Sequence, residues 1–384
     1  MAAHDSHVAG RASVPGQGTQ PPGRVTGRAA VPVRPPAGGG GAAGPPRDWR
    51  PARLPRPGPR WRRVLLVTMV AVLLVAGLGI GGLVLYARGL DNNMGRTDAF
   101  SGITGERPAR PVTGSANILM LGSDSRDPDG NEGPYRADTI ILLHIPSAQD
   151  EAYLISIPRD LWVYVPPNAT GSQGDRQAKI NASTAWGGIP LMVQTVEGYT
   201  GVRVDHVMLI DFGGFVEVTD ALGGVEMDIE QSITSIHRPF RTFEEGRQHL
   251  DGEEALDYIR QRYQFADGDF TRMRNQQQFL RALMDKAVSG GTLTNPLRLN
   301  EFLQTATRTL TVDQDFSLLG TAFQFRNLRS HNLTFLTSPV TGTGSAGGES
   351  VVFADDAAAA ELYQAVREDR VAQWAVANPD LVRD

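Results

Sequence analysis

The 384-residue chain contains no cysteine. No disulfide can brace it, so whatever folds must rely on its own hydrophobic core, and a folded region of more than about 250 residues can supply one. Lysine is nearly absent too: Lys179 and Lys286 stand against 35 arginines. No Walker A lysine exists, which excludes a P-loop phosphate cradle. With so skewed a composition, the use of Arg rather than Lys says little, and only the clustering of arginines informs. The seven histidines show no metal-ligand spacing, and there is no Gly-x-Ser-x-Gly nucleophile elbow, no helix-turn-helix pattern and no internal repeat.

The charge and apolar character that are present are unevenly distributed. Gly and Pro make up 23 of residues 1–60, a level that marks low-complexity disorder. Extended to Arg63, this arm holds eleven arginines against Asp5 and Asp48, a net charge of +9. Val64–Ala87 follows as 24 uncharged, mostly aliphatic positions, long enough as a helix to cross a hydrocarbon core of roughly 30 Å. A cleaved signal peptide would have a shorter apolar region and a small-residue cleavage site, so the segment reads as a single transmembrane signal anchor. The positive-inside rule places the basic arm in the cytoplasm and the 297 residues beyond Ala87 outside. There the arm meets anionic lipid rather than nucleic acid. Residues 88–112 read as a polar stalk, 113–372 as the extracytoplasmic domain and 373–384 as a tail.

Within that domain, Asn117–Leu121 is an apolar strand that stops at Gly122 and then presents Asp124 and Arg126. A second strand, Ile140–Ile145, opens on Arg136-Ala137-Asp138-Thr139, and a third, Ala152–Ile157, ends at Pro158-Arg159-Asp160. Three strands with charge at one end describe a sheet edge that gathers carboxylates and guanidiniums. Carboxylates hold hard divalent cations, and guanidinium forks pair with phosphate oxygens, so the combination suggests a phosphoryl or pyrophosphoryl site. Later segments alternate between helical and strand patterns. Helices are expected at Ile189–Tyr199, Phe212–Leu222, Asp251–Ile259 (with a capping box to Glu254), Gln276–Ala287 and Ala357–Arg367. Strands are expected at Val204–Ile210, Val225–Ile229, Asn332–Leu336 and Ser350–Phe353. The alternation predicts an α/β fold with a mixed central sheet covered by helices on both faces.

A second charged cluster holds Arg260, Arg262, Arg272 and Arg274 within fifteen residues. If the chain becomes extended at Tyr258–Tyr263, Arg260 and Arg262 point the same way; if it stays helical they diverge. Taken together, NILMLGSDSR (117–126), RADT (136–139), ISIPRD (155–160), KIN (179–181), DHVMLIDFGGFVEVTDAL (205–222), HLDGEEALDYIRQR (249–262) and GDFTRMRNQQQFL (268–280) resemble the LytR-CpsA-Psr proteins of bacterial cell envelopes. The resemblance covers about 115–290 in order, and an anchor before it fits that family.

The resemblance implies a phosphotransferase that moves a glycopolymer from a polyprenyl-pyrophosphate carrier onto peptidoglycan through a phosphodiester. It implies Mg²⁺ on Asp124 and Asp138, and pyrophosphate contacts from Arg126, Arg159, Arg260, Arg262 and Arg272. The family commonly has a second arginine three residues after the position of Arg272. Here Asn275 stands there, with Arg274 one residue earlier as the substitute to be tested. An apolar slot for the polyprenyl tail is expected from Ile140–Ile145 and Val207–Ile210 with Phe212, Phe215 and Leu222. Which carboxylate serves as general base stays open. Two other functions compete: a non-catalytic module binding envelope glycan or polyprenyl phosphate, and a membrane-linked transcriptional attenuator. The exterior placement and the missing helix-turn-helix count against the second.

Overall fold

The structure is a computed structural model describing residues 60–123, 137–265, 268–289, 291–292, 294–325, 328 and 332–383. The arm 1–59 and the segment carrying Asp124, Arg126 and Arg136 lie outside the described residues. The first helix, α1 (Arg60–Asn93), contains the one stretch among the described residues long and apolar enough to cross a membrane, Val64–Asn93, within which an 18-residue run has a mean hydropathy of 2.7.

The centre is an eight-stranded mixed sheet. Its strands in chain order are β1 (Gly95–Thr97), β2 (Ala116–Ser123), β3 (Ala137–Ile145), β4 (Ala152–Ser156), β5 (His206–Asp211), β6 (Leu310–Asp313), β7 (Leu333–Thr337) and β8 (Val382–Arg383). In space the order is β1-β6-β5-β2-β3-β4-β7-β8, with β2 parallel to β5 and antiparallel to β3. The central strands are near-continuous apolar runs because both faces are covered. On one face Leu119, Ile155 and Val207, each 0% exposed, pack under α2 (Ala182–Thr200), α8 (Asp356–Arg367) and α9 (Val371–Ala377). Gly187 and Gly188 interrupt α2, so the helix expected from Ile189 is its second piece.

The other face meets α3 (Phe212–Ala221), α4 (Gly252–Arg260), α5 (Asp269–Ser289) and α6 (Pro296–Thr309), with α7 (Leu318–Phe325) following β6. A hairpin of Val225–Ile229 with Gly246–Leu250 closes a smaller core against α4 and α5 through Tyr258, Phe243 and Phe279. Asp251 accepts from the Glu254 amide at 2.8 Å, and the Glu254 side chain accepts from the Asp251 amide at 3.1 Å, completing the expected capping box on α4. Gly252 has to be glycine: a Cβ there would lie 2.4 Å from the Val216 carbonyl oxygen, so α3 and α4 could not approach as they do.

Two expectations about segment roles give way. Residues 88–112 are no free stalk. α1 runs on to Asn93, Leu90 and Met94 are buried, and β1 pairs in parallel with β6. Residues 373–384 are no loose tail either, since β8 pairs with β7. Both edge strands are too short to show a period of two, and they exist because a neighbouring strand offers unpaired backbone groups.

Candidate active site

The charge gathers where β2 and β5 end and β3 begins. Gly122 sits opposite both Thr139 and Ile210, and Ser123 opposite Asp211. A Cβ on Gly122 would stand 3.0 Å from the Thr139 Cβ, so glycine permits the close crossing at the bulge that turns the chain out of β2. Asp138 lies at the start of β3, Arg159 and Asp160 follow β4, and Asp211 ends β5 as the cap of α3, accepting from the Gly214 amide at 2.7 Å. Ligands in open α/β sheets collect at such strand ends.

Arg159 is hydrogen-bonded and ion-paired to Asp138. The buried Asp160 is an ionic hub. Its carboxylate lies 3.4 Å from Lys179 Nζ, 3.7 Å from an Arg262 nitrogen and 3.8 Å from Arg159 Nε. Lys179 also reaches Glu349 at 3.3 Å. Neither Asp160 nor Lys179 was singled out for the site in the sequence. Lys179-Ile180-Asn181 reads locally as a helix start, yet the Asn181 side chain caps nothing.

α4 ends at Arg260 because Gln261 turns extended (φ −64°, ψ 140°) and folds its amide back onto the Asp257 carbonyl oxygen at 2.9 Å. The backbone stays helical to Arg260 and turns extended only from Gln261, so neither an extended run over Tyr258–Tyr263 nor a continuous helix is found, and Arg260 and Arg262 both line one cavity. The Arg260 guanidinium lies 4.4 Å over the Phe212 ring, a cation–π contact that orients it. Arg272, in the first turn of α5 and 6% exposed, lines the same cavity. Arg274 does not; it donates to Thr271 Oγ1 at 2.6 Å, while Asn275 is buried.

The cavity holds about 470 Å³. Its charged part carries Arg159, Arg260, Arg262 and Arg272 against Asp138 and Asp211, a positive excess among the described residues that suits an anion. His237 stands beside them, its pKa lowered by burial and then by the Arg260 charge, so it is neutral at pH 7. The rest of the wall is apolar: Met120 and Ile141 of the sheet, Phe215 stacked on Phe279 at 4.3 Å, and Phe302 and Ala306 of α6. Of the residues expected to form an apolar slot, Ile141, Met208, Leu209, Ile210, Phe212 and Phe215 line it, whereas Ile140, residues 142–145, Val207 and Leu222 do not. Asp124 and Arg126 lie outside the described residues.

No group of three or more His, Cys, Asp or Glu side chains among the described residues could close a metal cage. Mg²⁺ needs none, because it is held by one or two carboxylates with waters and substrate phosphate oxygens completing the shell. Asp138, at the rim of an anion-binding cavity, fits that pattern.

Residues 91–368 match the family model described as the LytR_cpsA_psr family. The chain belongs to that family. It is 32% identical over 335 residues to the cell wall biosynthesis protein LcpA of Corynebacterium glutamicum, covering 77% of this chain and 63% of LcpA. To LcpB of the same organism, named a probable cell wall biosynthesis protein, it is 35% identical, covering 79% of this chain and 72% of LcpB. The polyisoprenyl-teichoic acid–peptidoglycan teichoic acid transferase TagV of Bacillus subtilis is 31% identical, with 60% of this chain and 59% of TagV covered. The matches thus span less than two thirds of LcpA and of TagV. The crystal structure of B. subtilis TagV superposes with a TM-score of 0.56 at 26% identity, covering 67% of this chain and 98% of that one. A mixed α/β sheet between helices is therefore shared with this LytR_cpsA_psr relative.

Proposed function

We propose that this chain is a phosphotransferase that takes a glycopolymer from a polyprenyl-pyrophosphate carrier and attaches it to peptidoglycan through a phosphodiester. The observation that carries the reading is a single cavity with an arginine-rich charged part and a long apolar body. Such a cavity suits an amphiphile with a phosphate or pyrophosphate head and an apolar chain. The names of the relatives point the same way.

In the reaction an acceptor sugar hydroxyl attacks the phosphorus that bears the glycan. A new P–O bond forms, the bridging P–O bond breaks, and polyprenyl phosphate leaves. Phosphoryl transfer of this kind needs positioning and charge neutralisation more than covalent help. In this reading Arg260 and Arg262 bind the pyrophosphate oxygens, Arg159 and Arg272 hold the flanking charge, and Asp160 keeps Arg159, Arg262 and Lys179 from swinging apart. Asp138, with Asp124, would hold Mg²⁺, which supplies neutralisation of phosphate charge when bound. Asp138, Asp211 and neutral His237 are the groups on the cavity wall that can take the hydroxyl proton.

The anchor reading goes with this function: α1 spans the membrane, the basic arm faces the cytoplasm and the domain faces the wall. Protease cleavage of the arm from outside intact cells would overturn that orientation. The decisive assay incubates the full-length protein with a labelled polyprenyl-pyrophosphate glycan, peptidoglycan and Mg²⁺. Label is expected in peptidoglycan and absent when Mg²⁺ is chelated. Tight donor binding with no label transferred would move the protein to the binding-module reading.

A further inference from the structure

The connection between anchor and domain is itself built. α1 continues without a break to Asn93, with Ala87, Leu90 and Met94 buried in the domain. Tyr86 donates to Asn300 at 2.7 Å and Asn93 to Gln304 at 2.8 Å, both on α6. Asp91 accepts from the Leu318 amide at 3.0 Å and pairs with Arg96 at 2.9 Å, and Arg96 also donates to the Asp313 and Phe316 carbonyl oxygens. No polar hinge remains between Ala87 and the sheet.

α6 has a second face. Phe302 and Ala306 line the apolar part of the cavity, roughly 200° around the helix from Asn300 and Gln304. The end of α1 is therefore separated from the cavity by the thickness of one helix, about 8–10 Å between axes. Leu297, 80% exposed, lies one turn before Asn300 on α6, and Leu319, 47% exposed, follows Leu318, whose amide bonds Asp91. Exposed leucines are poorly suited to water and well suited to a bilayer interface.

We propose that the docked end of α1 holds the apolar end of the cavity at a fixed height against the bilayer, so that the polyprenyl chain passes from membrane to cavity beside α6 without crossing water. This rests on the transferase reading above. The partner is the lipid bilayer itself, and Leu297 and Leu319 are its contact points. Each of the many isoprene carbons exposed to water would cost free energy, so a domain tethered loosely would extract its donor poorly.

The test uses the full-length protein in liposomes carrying a long-chain polyprenyl-pyrophosphate glycan, beside a water-soluble short-chain donor. A flexible Gly/Ser insert of a dozen residues between Ala87 and Arg88 leaves Leu90, Asn93 and Met94 in place but frees the domain from the anchor. Transfer from the bilayer donor is expected to fall at least about tenfold with transfer from the soluble donor unchanged, because only extraction is affected. Leu297→Glu with Leu319→Glu should lower bilayer transfer alone, in the same direction and less. Thermal unfolding of each variant verifies the fold. Parental rates from the bilayer donor in the insert variant overturn the proposal. Absence of transfer from both donors in the parent protein would instead overturn the transferase reading.

Discussion

The two faces of the central sheet are made from alternate residues of the same strands and behave oppositely. Leu119 and Val207 are fully buried under α2, α8 and α9, whereas their chain neighbours Met120 and Met208 are only half-buried and border the cavity. Both faces are equally apolar in sequence. One is filled by the protein's own helices along its length; the other is packed around Ile118, Leu143 and Phe335 but opens beside Met120, Ile141 and Met208, where α3, α4, α5 and α6 surround a space of about 470 Å³. The difference teaches that an uninterrupted apolar strand reports burial on both sides without saying what does the burying. A lipid ligand and a packed helix ask for the same side chains.

Changes on the charged rim of the open face should have the largest effect, and on rate alone. Arg260→Ala or Arg262→Ala should cost on the order of 10²–10³ in transfer, by analogy with loss of one preorganised donor to a developing anion. Both guanidiniums sit at the wall of an open cavity, so thermal unfolding should barely move. Rates within a few-fold of the parent for both variants would leave the cavity a binding site only.

A matched pair of truncations tests the faces directly. Leu119→Ala on the closed face opens a void that its helices cannot fill, and should destabilise by about 2–5 kcal/mol. Met208→Ala on the open face extends a space that already exists, and should cost roughly 1 kcal/mol or less. It should instead weaken binding of a long-chain donor. Denaturant unfolding of the two variants side by side decides the point, and equal losses would mean the open face is as tightly packed as the closed one.

Much of this was legible. The apolar run ending at Gly122, the charge at the ends of β3 and β4 and the capping box at Asp251 are local patterns, and each became the expected element. The unread parts have physical reasons. β6 is four residues that continue α6 almost without a gap, so its pattern merges with a helix. α5 starts at Asp269 rather than Gln276; Phe270 and Met273 are the two apolar residues before Gln276, too few to reveal a stripe in sequence. Asp160 gained its role only when the fold brought Lys179 and Arg262, distant in sequence, to one carboxylate. The end of α4 goes with hydrogen bonds from the Gln261 side chain to the Asp257 carbonyl and carboxylate oxygens and to Ser235, which propensity alone does not register.

Arg274→Ala sharpens the rim further with a smaller expected change. Its guanidinium bonds Thr271 within α5 and is absent from the cavity wall, so near-parental transfer is expected. That result would mean the arginine common in the family at the position of Asn275 is simply missing here. A loss comparable to that of Arg262→Ala would show that α5 rotates on donor binding and brings Arg274 in.

The smallest effect should appear where β5 meets β6, at the end of β5 opposite Asp211. His206 is raised above its ordinary pKa chiefly by its hydrogen bond to Asp313, 3.1 Å away, against the opposing effect of burial. Asp205 and Asp315 add negative charge, and the Phe316 ring packs edge-on. For Asp313, burial pushes the pKa up, but hydrogen bonds from His206 and from the Val207 and Asp315 amides outweigh it and hold the carboxyl below its usual value. A histidine raised on folding contributes stability that is fully present below about pH 6.5 and is lost as pH rises through its folded value. An aspartate lowered on folding contributes stability present above about pH 3.8 and lost as pH falls through its folded value. The pair should therefore stabilise most between those limits. In His206→Gln the stability deficit relative to the parent should be greatest near pH 6 and shrink steadily towards pH 8, as denaturant midpoints would register. A deficit constant across that range would mean His206 contributes through packing on Phe316 alone, and that this edge of the sheet, unlike the cavity, carries no charge-dependent stability.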